Sequence, residues 1–380
     1  MQFEDIPGLQ EVKQGLIDAI QKGHVAHAQL FSGPEGSANL ALALAFISYL
    51  NCENPGTTDS CGTCASCQKN QKFIHPDVHF VFPVSSTTKV SGKEVVSNSF
   101  LKEWRTFIEK DPYGNLSDWS LVFGGENKQL NISKGESRSI IQKLSLKAFE
   151  GGYKTILIWM PEYMNASAAN GILKVLEEPS DRTLFLLVTQ DQERLLGTIL
   201  SRSQKVFIRA FSQEEITTEL QKEGVEEVRA SHSARLSEGN LKLARRLAGE
   251  VEEDGATLFK DWMRLCYSED YGQMVQWADE FHKMPKISQQ SFFRFGLTLL
   301  RETLISHYGD SHLIKMPEEE KEFVRNFSQV VTPEKIEPLT SLVEEASYHM
   351  TRNASTKMVF LDLSITVSRL LKGKLNGIPH

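Results

Sequence analysis

GGYKTILIWMPEYMN (151–165), ASAANGILKVLEEPSDRTLFLLVTQ (166–190) and DQERLLGTILSRSQKVFIRA (191–210) follow one another without a break. Three short, nearly unbroken apolar runs stand out: TILIWM (155–160), TLFLLVT (183–189) and KVFIRA (205–210). Such runs predict strands of a sheet covered on both faces. Between the first two, Asn165 is placed to cap a helix and Pro179 to stop it, while Ala169, Ile172, Leu173 and Leu176 repeat at helical spacing. Strand, helix and strand within about 35 residues make a βαβ unit, which requires a parallel sheet.

Upstream, AQLFSGPEGSANLALALAFISYL (28–50) reads as strand, glycine-rich turn and apolar helix, the setting of a phosphate-binding loop. That loop needs G-x-x-x-x-G-K-[ST], in which glycines admit backbone N–H groups to phosphate, the lysine neutralises it and the hydroxyl holds magnesium. Counted from Gly33, the last three positions here are Ala38, Asn39 and Leu40. Gly33 and Gly36 can keep the turn, but no nucleotide hydrolysis is expected without the ammonium and the hydroxyl. A helix over 9–22, with Val12, Leu16, Ile17 and Ile20 on one face, precedes the strand.

CENPGTTDSCGTCASC (52–67) holds Cys52, Cys61, Cys64 and Cys67 in a C-x8-C-x2-C-x2-C spacing. Four thiolates around a tight turn suit a closed, structural Zn²⁺ site. A catalytic deaminase zinc would need an upstream H-x-E element, which is missing, and an iron–sulfur cluster is the other alternative. His75 is a competing ligand or a residue packed beside the knuckle; Cys266, in an apolar helical stretch, reads as core.

AANGILKVLEEP (168–179), a strand ending at Thr189 and TILSRSQ (198–204) together resemble the clamp-loader branch of the AAA+ ATPases, nearest the delta-prime family of bacterial DNA polymerase III. Landmarks run through roughly the first 250 residues; beyond them the likeness is only of length and helical character. The resemblance implies an α/β fold followed by an all-α part. An AAA+ P-loop-type domain (1–209) carries the zinc module (52–67) and an insertion (83–131), a helical lid follows (210–253), then a helical collar (254–380). It implies a hetero-pentamer with gamma/tau-type ATPase subunits and a delta subunit, acting on a sliding clamp and primer–template DNA.

The same resemblance assigns roles. Aligning Met164 with the methionine of the family's D-E-A-D-x-M pattern puts Trp159 and Met160 where two magnesium-holding acids would stand, so no ATP hydrolysis is expected in this chain's own site. Glu162 is out of register and reads as a surface carboxylate, and Thr189 falls at the sensor-1 position. Arg202 matches the arginine projected in trans into a neighbour's ATP site; the bland alternative is a salt bridge at the base of strand 205–210. Gly239-Asn240 before Lys242 resembles the sensor-2 pattern, although a solvated face for Lys242, Arg245 and Arg246 is equally consistent.

The remaining stretches are less specific. Residues 83–131 begin polar and Ser/Thr/Lys-rich, which reads as mobile, and continue with Phe100, Trp104, Phe107, Ile108 and Trp119 on short amphipathic helices. Interleaved basic and aromatic residues suit nucleic acid, but an aromatic stripe at helical spacing suits docking on the domain better. Capping boxes are expected at Ser133/Glu136 and Ser212/Glu215, ordinary helical pairs among Lys174, Glu177 and Glu178, and helices at 256–267, 288–307, 318–327, 333–348 and 355–372.

At 380 residues, two or three domains are expected. A net charge of −7 argues against bulk gripping of phosphate backbone, which weighs against a zinc-containing nucleic-acid binding protein. An active AAA+ motor, the other alternative, is opposed by Asn39, Leu40, Trp159 and Met160. MQFEDIPGLQ at the start lacks the features of a secretion signal and no run approaches about 18 apolar residues, so a cytoplasmic protein without membrane association is expected.

Overall fold

The structure is a computed structural model that describes residues 1–125, 128–150, 152–249, 255–284, 286–308, 318–351 and 354–374. The chain forms two compact units, Met1–Gly249 and Glu250–His380. The expected lid–collar boundary at 253/254, and residues 126–127 of the insertion, lie outside the described residues.

In the first unit, strands β1 (Ala28–Ser32), β2 (Val78–Val81), β3 (Lys154–Trp159), β4 (Thr183–Thr189) and β5 (Gln204–Phe207) form one sheet in the order β2-β3-β4-β1-β5. Every pairing is parallel, with Leu157 opposite Leu186 and Phe31 opposite Val188. Side chains alternate between the faces. Leu30, Ile156, Ile158, Phe185 and Leu187 share one core with Ile140 and Leu144 of helix Lys134–Ser145 and Ile172 and Leu176 of helix Ala166–Glu177. Phe31, Leu157, Trp159, Leu186 and Val188 share the other with helix Asn39–Leu50. The helix between β3 and β4 is capped as expected: the Asn165 side chain accepts the Ala168 N–H at 2.8 Å.

Coverage of the third run is a correction. β5 is an edge strand paired only with β1, and Phe207 is 71% exposed. Val206 and Ile208 pack against one core, whereas Lys205 and Phe207, on the other face, have no layer over them.

The insertion's aromatics belong to the core rather than to an outer surface. Phe100, Trp104, Phe107, Ile108 and Trp119, on and beside helices Leu101–Lys110 and Leu116–Phe123, are buried. The Trp104 ring stacks on Phe82 at 4.3 Å and meets Trp159 of β3 at 5.1 Å. The polar first part carries two short 3₁₀ turns, Gly92–Glu94 and Ser97–Phe100. Glu136 is a second correction: Ser133 makes no side-chain cap, and the buried Glu136 carboxylate instead accepts the Ser97 N–H at 2.8 Å, tying the insertion to the sheet domain. Reaching back to Ser133 would leave that buried N–H without this acceptor.

Helices Gln213–Lys222, Glu227–Leu236 and Leu241–Gly249 complete the first unit. The Ser212/Glu215 capping box is present. Glu215 does more than cap: it accepts the Leu9 N–H at 3.1 Å and two N–H groups of Arg209 at 2.8 Å each. The Arg209 guanidinium holds its carboxyl down to about 2. Because that lies below the ordinary glutamate value, the stabilisation is full above that value and is lost as pH falls through about 2. Glu215→Ala frees one cap and two partners at once, and a loss of about 2 kcal/mol in urea unfolding at neutral pH is expected.

The second unit is helical throughout its described residues: Gly255–Ser268, Tyr271–Lys283, Lys286–Tyr308, Glu318–Val330, Pro333–Thr351 and Thr356–Leu371. Five of these were expected; Tyr271–Lys283 is additional. Phe281 from it stacks on Phe360 at 3.9 Å, beside Trp262 and Phe292. Cys266 is fully buried there, and burial pushes its thiol up.

Candidate nucleotide cleft, surface arginine and metal centre

The turn after β1 is closed by its own side chains. Asn39, at the lysine position, donates from Nδ2 to the carbonyls of Gly33 (2.8 Å) and Thr189 (3.0 Å), and its Oδ1 accepts from Ser37 at 2.7 Å. These bonds hold the loop without an anion. Leu40 is buried in the core, where a magnesium-ligating hydroxyl would otherwise be presented. Gly36 needs to be glycine: its φ is +74° and a Cβ would lie 2.0 Å from Asn240 Oδ1.

Across the cleft, Trp159 lies against Trp104 and Phe107 at 5.1 and 5.4 Å, so the position that the resemblance aligns with the first acid is part of an aromatic core. Met160 is buried in the left-handed region at φ 55°. Glu162 corrects its reading as a surface carboxylate. Its Oε2 accepts from Thr189 Oγ1 at 2.9 Å and its Oε1 from the Gln190 N–H at 3.3 Å, and burial pushes its carboxyl above the usual range. The spacing hid this because Glu162 reaches β4 from the 3₁₀ turn Pro161–Tyr163 rather than from β3.

Lys242 and Arg245 are likewise not a solvated face. Lys242, 24% exposed, pairs with Asp118 of the insertion, and both cations lie 4.0 Å from an oxygen of Asp111. Arg245 also pairs with Glu223 at 2.7 Å.

Arg202 lies apart from this cleft, at the end of the helical turn Gly197–Leu200. Its Nε donates to Glu177 Oε1 at 2.6 Å and its Nη1 to the Thr198 carbonyl at 2.8 Å. The local salt bridge therefore exists within the chain, and its acid, Glu177, comes from the LEEP segment rather than pairing with Lys174. The side chain remains about a third exposed, at 31%.

The four predicted cysteines converge: the Sγ atoms of Cys52, Cys61, Cys64 and Cys67 all lie within 4.8 Å of one another. Tetrahedral bonds of about 2.3 Å would set sulfurs about 3.8 Å apart; Cys61 and Cys67 are at 4.0 Å. Sulfurs accept N–H groups in series, Cys61 to Cys52 at 3.3 Å, Cys64 to Cys61 and Cys67 to Cys64 at 3.4 Å each. Those from Cys64 and Thr63 lower Cys61 to about 6, whereas burial raises Cys67. Gly62, at φ +69°, makes the turn between the first two C-x2-C sulfurs. The donor set fits a closed tetrahedral ion. His75 stays outside it, with Nδ1 accepting the Asp77 N–H at 3.2 Å and Nε2 at 3.2 Å from Glu150.

A parallel sheet in this order, a P-loop-type turn closing on the start of a small helical group, and a cysteine knuckle between β1 and β2 define an AAA+ module of the clamp-loader kind. The family profile described as DNA polymerase III, delta subunit, matches residues 8–212, more than half of the chain, and the chain belongs to that family. It is 25% identical over 311 residues to the DNA polymerase III subunit delta' of Escherichia coli (strain K12), covering 80% of this chain and 77% of that one. With the subunit delta' of Bacillus subtilis (strain 168) identity is 27% over 221 residues, 58% of this chain and 52% of that one. With the E. coli subunit tau it is 26% over 260 residues, 67% of this chain and 33% of that one. The chain thus spans about half the length of the B. subtilis relative and a third of tau. Among the described residues no helix is long and apolar enough to cross a membrane.

Proposed function

We propose that this chain is a delta-prime-type subunit of a cytoplasmic DNA polymerase III clamp loader, one that hydrolyses no ATP and offers Arg202 to the ATP site of a neighbouring subunit. The observation that carries this reading is Asn39, whose amide cross-links Gly33 and Thr189 where a lysine would meet phosphate. Trp159 in place of an acid agrees with it. The neighbours are gamma/tau-type ATPase subunits and a delta subunit, joined through the helical second unit, and the loaded assembly places a sliding clamp on primer–template DNA. Zn²⁺ on the four cysteines serves structure only, since four thiolates leave no open coordination position.

Arginine suits the assigned role because its planar fork stabilises phosphoryl charge and stays protonated. Elsewhere a finger supplied in trans is worth about 10³–10⁵ in rate. Purified wild-type chain with magnesium and ATP is expected to show no turnover. In the reconstituted complex, Arg202→Ala is expected to abolish clamp-stimulated hydrolysis at one neighbouring site, lowering the total by no more than that site's share, with assembly intact by size-exclusion chromatography. Turnover by the chain alone refutes the non-hydrolysing reading, and unchanged hydrolysis at every site refutes the finger.

A further inference from the structure

The insertion does more than cover the sheet. Its segment from Asp111 to Asp118, the link between the two helices together with the first turn of the second, enters the cleft between the β1 loop and the helices of residues 213–249. Between Ser37 and Asn39 on one wall and Pro112, Tyr113 and Gly114 on the other, a cavity of only about 10 Å³ remains. That is about the least that holds one water; wider openings flank it, about 530 Å³ beside Asp111, Tyr113, Glu223 and Arg245 and about 260 Å³ beside Glu35, Asn115 and Glu162. Tyr113 is buried, edge-on to Phe211 at 5.9 Å, with the Arg245 guanidinium 5.2 Å above its ring. Asn115 Nδ2 donates to Glu35 of the loop at 2.9 Å.

Three kinds of contact meet in these eight residues: an aromatic ring held against the helical group, carboxylates set beside its cations, and a polar bond to the phosphate-type loop. We propose that residues 111–118 are a built-in ligand that takes the place of a nucleotide and fixes the helices of residues 213–249 on the sheet domain with no nucleotide bound. Asp118 to Lys242 is its central ionic contact, because Asp111 lies at a longer 4.0 Å from both cations and Arg245 is shared with Glu223. The inference rests on the first unit alone and stands or falls independently of Arg202.

Hydrogen exchange followed by mass spectrometry on the full chain tests it, with helix 166–177 as internal reference. In the wild type, millimolar Mg·ATP or Mg·ADP is expected to leave exchange over 213–249 unchanged. Asp111→Asn with Asp118→Asn, which retains an oxygen acceptor for the helix cap, is expected to raise exchange over 213–249 at least tenfold while the reference helix stays as it was. Lys242→Gln, which leaves the cap of Asn115 and Asp118 intact, is expected to raise exchange over 213–249 in the same way. Slowed exchange in the wild type with nucleotide, no change in either variant, or equal acceleration of the reference helix would each overturn the proposal.

Discussion

Cys64→Ser is expected to cost the chain its metal and to unfold residues 52–71 while the parallel sheet remains. The knuckle has little core of its own: most of residues 52–66 are exposed or half-buried, and Cys67 is the one knuckle sulfur that is fully buried. What orders it are the N–H to sulfur bonds and a few tethers from outside, among them Gln2 Nε2 to the Ser60 carbonyl at 2.7 Å, the Glu4 N–H to Asp59 at 2.8 Å, the Tyr49 hydroxyl to the Gly56 carbonyl at 2.8 Å and Gln21 Nε2 to the Thr57 carbonyl at 3.0 Å. Structural zinc supplies apparent binding energies of about 10–16 kcal/mol in small finger peptides, far above what these few bonds provide. Elemental analysis should give one zinc per wild-type chain and none in the variant, and limited proteolysis should cut first within 52–71. Wild-type protein free of metal yet protected there would refute zinc as the organising element; iron with sulfide would replace it by a cluster.

Trp104→Ala is expected to destabilise the first unit by about 3–5 kcal/mol, the usual cost of emptying a buried tryptophan site. Trp104 is 0% exposed and meets Phe82, Phe107, Trp119 and Trp159, so its loss opens a cavity shared by the insertion and β3. Its indole N–H has no hydrogen-bond partner among the described residues. Trp104→Phe removes that N–H and keeps most of the ring contact, so a cost below about 1.5 kcal/mol is expected. Urea unfolding of both variants checks the contrast. Equal losses would refute the view that the ring contacts a phenylalanine can keep carry the stability at this site.

The sheet was legible because β3 and β4 are buried on both faces, and that leaves a run of apolar residues no helix pattern explains. β5 misled for the opposite reason: Val206 and Ile208 do face the core, but Phe207 between them is exposed, because whether both faces of a run are covered depends on neighbours far away in sequence. Helix Tyr271–Lys283 passed unnoticed although Asp270 caps it and Met274, Ala278 and Phe281 follow helical spacing; its many polar residues dilute the stripe. The cysteine cluster could be read in full, since adjacent thiols at fixed spacing converge with little help from the fold. The roles of Glu162, Glu136, Lys242 and Asp118 could not, because each depends on a partner tens of residues away. Arg202 was visible as a motif, but its bond to Glu177 appears only when the LEEP helix and the SRS turn are brought side by side.

The bonds of Asn39 bear on how this chain could ever change. Asn39→Lys would point an ammonium at two backbone carbonyls already held by the loop, and an acid at Trp159 would bury charge among aromatic rings. Neither step gains anything before the other, and both meet the segment 111–118 already seated in the cleft. A single substitution therefore supplies only one of the two groups, while the other position stays filled by its present partners.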